Sequence, residues 1–515
     1  MARYIRIDPD QMEMVPVKLS EQIVPGTLEH TIHYVVTERL DMRAFDQEYK
    51  NDEKGRPAYD PRTLLKVVLL GYSRGLLSSR KIEKACSENI TFMAIAYGQC
   101  PDHSTIADFV SGMGKERIAQ LFSQVLLVCE EEGLLGGTHF SMDGYRLTTN
   151  ASKEWSGTHA NLRKKKEKLE ELVRESVGAH IDNDKGGQGA PPPKGGKKTR
   201  EEKLRRKAEK IEKFLAQEEP RKGHTGKEVQ SNVTDNESAK MKTSKGMVQG
   251  YNANAMVDSA NQVVVHAEAF GEGTDCAAAG PMLEGTAANL ETWEGGTKLE
   301  GAVVTADTNY FSGRNLEACE KAGVNAYIPD QYFRSRNPAF DDAGRHRRPI
   351  GKHKKPKKDK RETFGPEEFW EDEETGHLVC PAGYLMQLNG QRNTTAKGYV
   401  TTTYRAPADA CPNCRLKEQC LRNPGQRTPR QVRIFHDPPE PSLAAQMKDK
   451  IDTPEGRKLY SQRLGNVEPV FANIGAHKGM GRSTLRGKDK VNIQWKLYCL
   501  VHNLGKIARN QQGRN

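Results

Sequence analysis

THFSMDGYRL, residues 138–147, is the stretch on which the architecture turns. It reads as a buried strand with one acid, Asp143, set inside it. A carboxylate held away from water costs free energy unless a partner compensates its charge. GAVVTADTNYFS, residues 301–312, repeats the situation, with a short apolar run closing on Asp307. A third acid, Glu468 in GNVEPVFANIG (465–475), stands directly before Pro469. Proline is favoured in the first turn of a helix, so Glu468 is expected to open one, near the positive pole that favours an ionised carboxylate. Taken singly, each acid would more often be a cap, a turn residue or a surface group. Taken together, in two strands and a late helix, they suit a pair of divalent cations. Two such ions about 3.5–4 Å apart activate a water or a 3′-hydroxyl and steady the leaving oxygen of a phosphodiester.

Outward from these strands the pattern is α/β. KGMVQGYNANAMVD (245–258) and QVVVHAEAF (262–270) read as strands joined by a turn, and CAAAGPMLEGTAANL (276–290) as a helix. The strand ending in Asp307 follows, then a helix capped by Ser312 and stopped at Gly323, then the strand VNAYIPD (324–330). Strand, hairpin, helix, strand, helix, strand is the order of a ribonuclease H-like mixed sheet. In such a sheet the Asp143 and Asp307 strands are neighbours, so the two acids converge. This core is expected to occupy residues 136–160 and 244–335.

Residues 1–135 read as all-helical. PRTLLKVVLLGYSRG (61–75), SSRKIEKACSEN (78–89), ITFMAIAYG (90–98) and STIADFVSGM (104–113) are short helices with tight connections. They suit either a helix-turn-helix-like DNA-binding module or a plain packing bundle. Residues 161–243 interrupt the core with two charged helical stretches, 160–177 and 200–219, around a Gly/Pro-rich spacer. The stretches form either an antiparallel arm, with Leu169, Leu172, Val173, Leu204, Ile211 and Leu215 as its apolar stripe, or two exposed helices. Residues 336–450 form a further insertion, and 451–515 hold the last site-bearing helix and a C-terminal helix. Leu497, Leu500, Val501, Leu504 and Ile507 keep one face of that final helix apolar.

The chain has 515 residues and a net charge of +11, which favours a polyanionic partner. Residues 345–361, RHRRPIGKHKKPKKDKR, hold ten Lys or Arg against one Asp. That run is either a solvated loop or one that lies along phosphates. There is no run of 18 apolar residues, and MARYIRIDPDQMEM lacks the apolar centre of a signal peptide, which points to the cytoplasm and away from membranes. The ten cysteines are then expected as thiols or metal ligands. Cys380, Cys411, Cys414 and Cys420 fall within one short segment that includes a CxxC loop, the pattern of a structural zinc site, against the alternative of reduced surface thiols. The remaining six read as small core residues.

FSMDGYRLTTNAS, GYNANAMVD, TADTNYFS, CPAGYLM, CPNCRLKEQC and VEPVFANIGAHKGMGRSTLRG follow one another along the chain. In kind and order these blocks resemble bacterial insertion-sequence transposases of the DDE type, in the branch with a cysteine-bearing insertion before the last catalytic helix. The resemblance implies that Asp143, Asp307 and Glu468 are a triad holding two Mg²⁺ or Mn²⁺ ions. It implies DNA contacts from Tyr460 and Arg463 ahead of the glutamate and from Lys478 after it; Arg482 and Arg486 are further phosphate candidates nearby. The spacing from Arg463 to Glu468 is one residue longer than in the best-known relatives, and Asn309 stands where many carry glycine. The partners implied are double-stranded DNA, as element ends and target, and a second copy of the chain or more. Two other readings remain: a ribonuclease H-like nuclease that cuts without joining, and a DNA-binding regulator without catalysis.

Overall fold

The computed structural model describes residues 16–46, 57–185, 196–223, 226–243, 246–291, 299–338, 363–372, 375–390, 393–394, 400–435 and 441–513. The basic run 345–361 lies outside the described residues. The chain divides into two units, Met1–Phe333 with Met447–Asn515, and Arg334–Gln446.

The first unit is mixed α/β. Its sheet comprises β1 (His139–Thr148), β2 (Ala239–Thr243), β3 (Gly246–Asp258), β4 (Val264–Phe270), β5 (Val303–Ala306) and β6 (Asn325–Tyr327). The order is β2–β3–β1–β5–β6, with β4 also paired to β3. β3 runs antiparallel to β1 and β4, whereas β1, β5 and β6 are parallel to one another. β3 is buried without a break from Gln249 to Asp258, the signature of a strand covered on both faces. β1 and β5 are adjacent, as their sequences predicted. Met142 pairs with Ala306, so Asp143 and Asp307 are each the next residue along.

The helices that precede the sheet include α1 (Leu28–Tyr34), α2 (Pro61–Ser73), α3 (Ser79–Glu88), α4 (Ile90–Ile95), α5 (His103–Gly112) and α6 (Lys115–Glu131). Their starts are written locally. The side chains of Asp60, Ser78, Asn89 and Asp102 accept the first backbone N–H groups of α2, α3, α4 and α5. α2 is the centre of this group; even Lys66 is 1% exposed, its ammonium donating to the Tyr97 hydroxyl at 3.0 Å. α7 (His159–Lys185) and α8 (Gly196–Gln217) pair as antiparallel helices around Leu162, Ile211 and Phe214, with Lys166 on Glu212 at 2.6 Å. Leu172, counted in the apolar stripe from sequence, faces solvent instead. α9 (Ala279–Leu290) and α10 (Gly313–Lys321) flank β5, and Ser312 caps α10 as predicted.

α11 (Pro454–Ala472) corrects one expectation. The helix opens at Pro454 behind the Thr453 cap, so Pro469 lies inside it and Glu468 sits in its last turns rather than its first. An interior proline removes an N–H and crowds the carbonyl four residues back. Here that carbonyl belongs to Gly465, and the Gln262 side-chain amide donates to it at 2.9 Å. The orphaned acceptor is thus satisfied from the β3–β4 hairpin, more than 200 positions away in sequence, where local reading does not reach. A wide turn over Asn473–His477 then ends the segment.

α12 (Lys488–Gln512) is buried along most of its length. The predicted face of Leu497, Leu500, Val501, Leu504 and Ile507 is inside, and so are Asn492 and Asn503. Each asparagine holds both backbone groups of one residue on the edge strand β4. Asn503 accepts from and donates to Val264, both at 2.9 Å. Asn492 does the same for Ala269, at 2.7 and 3.0 Å. Eleven residues of helix and five of strand both span about 16 Å, so the two clamps are in register. The edge is thereby covered rather than left open to pairing. Tyr72 of α2 stacks on Tyr498 at 4.5 Å, joining the N-terminal helices to this helix.

The second unit carries strands β7 (Trp370–Glu371), β8 (Leu378–Val379), β9 (Leu385–Leu388), β10 (Asn393–Thr394), β11 (Val400–Arg405) and β12 (Gln431–Phe435) in one sheet. Among cysteines read as core residues, Cys86, Cys129, Cys319 and Cys499 are buried, but Cys100 and Cys276 are exposed because they sit in the turns that lead into α5 and α9. No helix among the described residues is long and apolar enough to cross a membrane.

Candidate active site

Asp143 and Asp307 meet at the junction of β1 and β5. The Asp143 carboxylate accepts the Gly144 N–H at 2.8 Å and the Arg463 guanidinium at 2.6 Å. Asp307 caps the turn Thr308–Tyr310 and accepts both the backbone N–H and the side-chain amide of Asn309, at 2.7 and 3.0 Å. Asn309 thus steadies the acid two residues before it.

Both carboxyls are held above the ordinary aspartate range. For Asp143 burial is the main cause, opposed by Arg463 and the Gly144 N–H. For Asp307 burial leads again and the charge of Asp143 comes next. Two acids that resist ionising side by side are what a divalent cation relieves, so this pair fits two ligands of a metal site. Among the described residues, however, no group of three or more His, Cys, Asp or Glu side chains is arranged as it stands to hold a metal ion.

Glu468, expected from the sequence as the third ligand, does not join the pair. It is exposed on α11, whereas Arg463, Val467 and Val470 of the same helix are buried. At 100° per residue it lies roughly 140° round the helix from Arg463. α11 presses instead with Asn466, whose amide donates to Ser141 and Ser259 at 3.1 and 2.8 Å, and with Phe471, stacked on Tyr145 at 5.9 Å.

The residues expected on DNA are placed unequally. Arg463 is 7% exposed and engaged with Asp143, and Lys478 is 8% exposed, its ammonium depressed by burial. Neither presents its charge to solvent. Tyr460 packs edge-on against Phe333 at 5.3 Å in a small apolar cluster. Arg482 and Arg486 are exposed, and each is anchored to a carbonyl just after β1, of Thr149 at 3.1 Å and Asn150 at 3.3 Å.

Sequence reasoning missed Asp275. It is 2% exposed, pairs with Arg146 at 3.1 Å, accepts from the Asn252 amide, and adds its charge to both Asp143 and Asp307. The available signal was Asn252 and Asn254 in the otherwise apolar run of β3, since buried amides require buried partners. Gly144 is small for the same reason. A Cβ there would lie 2.6 Å from Asn252 Oδ1 and 3.1 Å from Asp275 Oδ1. Gly144→Ala is therefore expected to destabilise the protein by about 1–3 kcal/mol. Thermal unfolding measures it, and an unchanged midpoint would mean that the strand gives way freely.

In the second unit, Cys380, Cys411, Cys414 and Cys420 line one cavity of about 20 Å³. No disulfide joins them. The Leu416 N–H donates to Cys414 Sγ and the Arg430 N–H to Cys411 Sγ, each at 3.3 Å.

Two families match the chain. The one described as Transposase DDE domain matches residues 379–508, which hold the cysteine segment, α11 and most of α12. The one described as Transposase domain (DUF772) matches residues 17–112, the N-terminal helices. No curated protein is similar enough to match.

Proposed function

We propose that this chain, an insertion-sequence transposase of the DDE type, nicks DNA at the ends of its own element and joins the freed 3′-hydroxyl to target DNA. The observation that carries this reading is the meeting of Asp143 and Asp307 on neighbouring parallel strands, where burial raises both carboxyls and the charge of Asp143 raises Asp307 further. The order β3–β1–β5–β6, with β4 paired to β3, supports a ribonuclease H-like core around them. Two Mg²⁺ or Mn²⁺ ions, when bound, would supply activation of the attacking oxygen and neutralisation of the leaving one. Asp143 and Asp307 would hold them, oriented by the Gly144 N–H and by Asn309. Glu468 is proposed as the third ligand, which requires the end of α11 to turn toward the pair. The interior Pro469 and the wide turn after it are where a helix deforms most readily. Arg482 and Arg486 would lie on phosphates, and the basic run 345–361 would add sequence-independent affinity.

The four cysteines would bind a structural Zn²⁺. Their place around one small cavity and the N–H donors aimed at two of the sulfurs support this, and binding would draw together sulfurs that, as placed, form no metal-holding group. Joining requires two DNA ends at once, so a homodimer or larger assembly, acting in the cytoplasm, completes the proposal.

The test uses a DNA fragment carrying the gene with its flanks, incubated with the protein and Mg²⁺. Sequencing is expected to find 3′ ends at a short inverted repeat and joined products in a second DNA. Nicks without joined products would favour the nuclease reading. Binding without nicks would favour the regulator.

A further inference from the structure

We propose that Arg463 is the resident counter-charge of the catalytic pair: it holds Asp143 in place in the metal-free chain, and a divalent cation binds in competition with it. The inference rests on the metal-site reading above. Arg463 has the geometry of a group kept inside. It is 7% exposed, it reaches Asp143 Oδ2 at 2.6 Å, and its charge also acts on Asp307. Its guanidinium lies 5.8 Å from the Tyr460 ring centre, and Tyr460 rests on Phe333. That wall keeps the guanidinium over the acids and away from solvent.

Two further details make the contact exchangeable. The guanidinium holds Asp143 through Nη1, and its buried Nε has no hydrogen-bond partner among the described residues. A single-point contact with an unsatisfied donor beside it is a weaker hold than a two-point fork. Asp143 in turn has one oxygen on the Gly144 N–H and the other on Arg463. A cation approaching Asp143 therefore meets a full positive charge already in contact with its ligand, and the two repel strongly where water is scarce. Arg463 is a positioning residue in this account. It acts through Asp143 and touches no substrate.

The expected consequence separates this role from a phosphate contact. Removing the guanidinium leaves two uncompensated acids, so metal-free protein loses stability while its affinity for a cation rises. Mn²⁺ binding is measured by calorimetry on the full chain without DNA, for wild type, Arg463→Gln, Arg463→Lys and Asp307→Asn. Arg463→Gln is expected to bind Mn²⁺ roughly tenfold more tightly. Its metal-free melting point should fall below wild type, and the gap should close as Mn²⁺ saturates. Equal or weaker Mn²⁺ binding by Arg463→Gln overturns the proposal. Should that variant not fold, Arg463→Lys decides, since its compact ammonium reproduces the contact less well; affinity no higher than wild type again overturns it. DNA affinity without metal gives a second check. If Arg463→Gln lowers the slope of log affinity against log salt by about 0.9, Arg463 is a phosphate ligand and the proposal fails. An unchanged slope supports it. The underlying metal reading fails separately, if wild type itself binds no Mn²⁺ or Asp307→Asn binds it as well as wild type.

Discussion

Asp307→Asn is expected to abolish Mg²⁺-dependent cleavage and, in the same protein, to raise the metal-free melting temperature. Loss of a metal ligand should cost more than the roughly 100-fold that loss of an outer-shell partner costs. The stability gain follows from sign. Burial and the charge of Asp143 hold the Asp307 carboxyl above its ordinary value. The folded chain therefore binds this proton more readily than the unfolded chain does. Stability from this group is fully present below the unfolded aspartate pKa and is lost as pH rises through the raised folded value. At neutral pH the native acid is a net burden, and asparagine removes it. A rise of about 1–2 °C corresponds to about 1 kcal/mol in a unit of this size. Asp143→Asn should lose cleavage equally but gain no stability, because it leaves the buried Arg463 without its anion. Glu468→Gln gives a third outcome. If Glu468 completes the site, cleavage falls as far as in the aspartate variants, with little change in the metal-free melt, since the residue is exposed there. Near-normal cleavage by Asp307→Asn would remove the assignment altogether.

The strands and their acids were legible because the signals are local. Apolar runs of strand length, the turn between residues 258 and 262 and the cap at Ser312 each act within a few residues, and the order of elements then made the Asp143 and Asp307 strands neighbours. What stayed hidden depends on partners far along the chain. Pro469 reads as a helix start until Gln262 is seen to satisfy the Gly465 carbonyl. Nothing local to Asn492 and Asn503 reveals that they clamp β4. Arg463 is expected on DNA from the resemblance; its spacing along α11 does not reveal that this face is turned to Asp143. Asp275 lies in an unremarkable turn, and only the fold brings it under the two acids.

Zinc removal is expected to have the largest effect on the second unit. Among the described residues its main buried cluster is small, made of Phe369, Leu378, Cys380, Met386, Tyr404, Ala406 and Val432. One of those seven is itself a proposed ligand, and Cys411 and Cys420 pack against the same cluster. A core this thin supplies little free energy on its own, so a metal closing the loop between Cys380 and Cys420 would contribute a large share. Structural zinc in small modules contributes about 10–16 kcal/mol at neutral pH, far above what one buried side chain adds. Native protein should carry about one zinc per chain by elemental analysis. Cys414→Ser removes a ligand and the sulfur that the Leu416 N–H addresses, so zinc content should fall toward zero. Chelation of wild type and the substitution should then give the same result by limited proteolysis of the full chain: rapid cutting within Arg334–Gln446, with α12 and the main sheet protected. Zinc added back should restore resistance to chelated wild type but not to Cys414→Ser. Protein purified without chelators that contains no zinc, yet resists proteolysis in that unit, would leave the four thiols as ordinary packing residues.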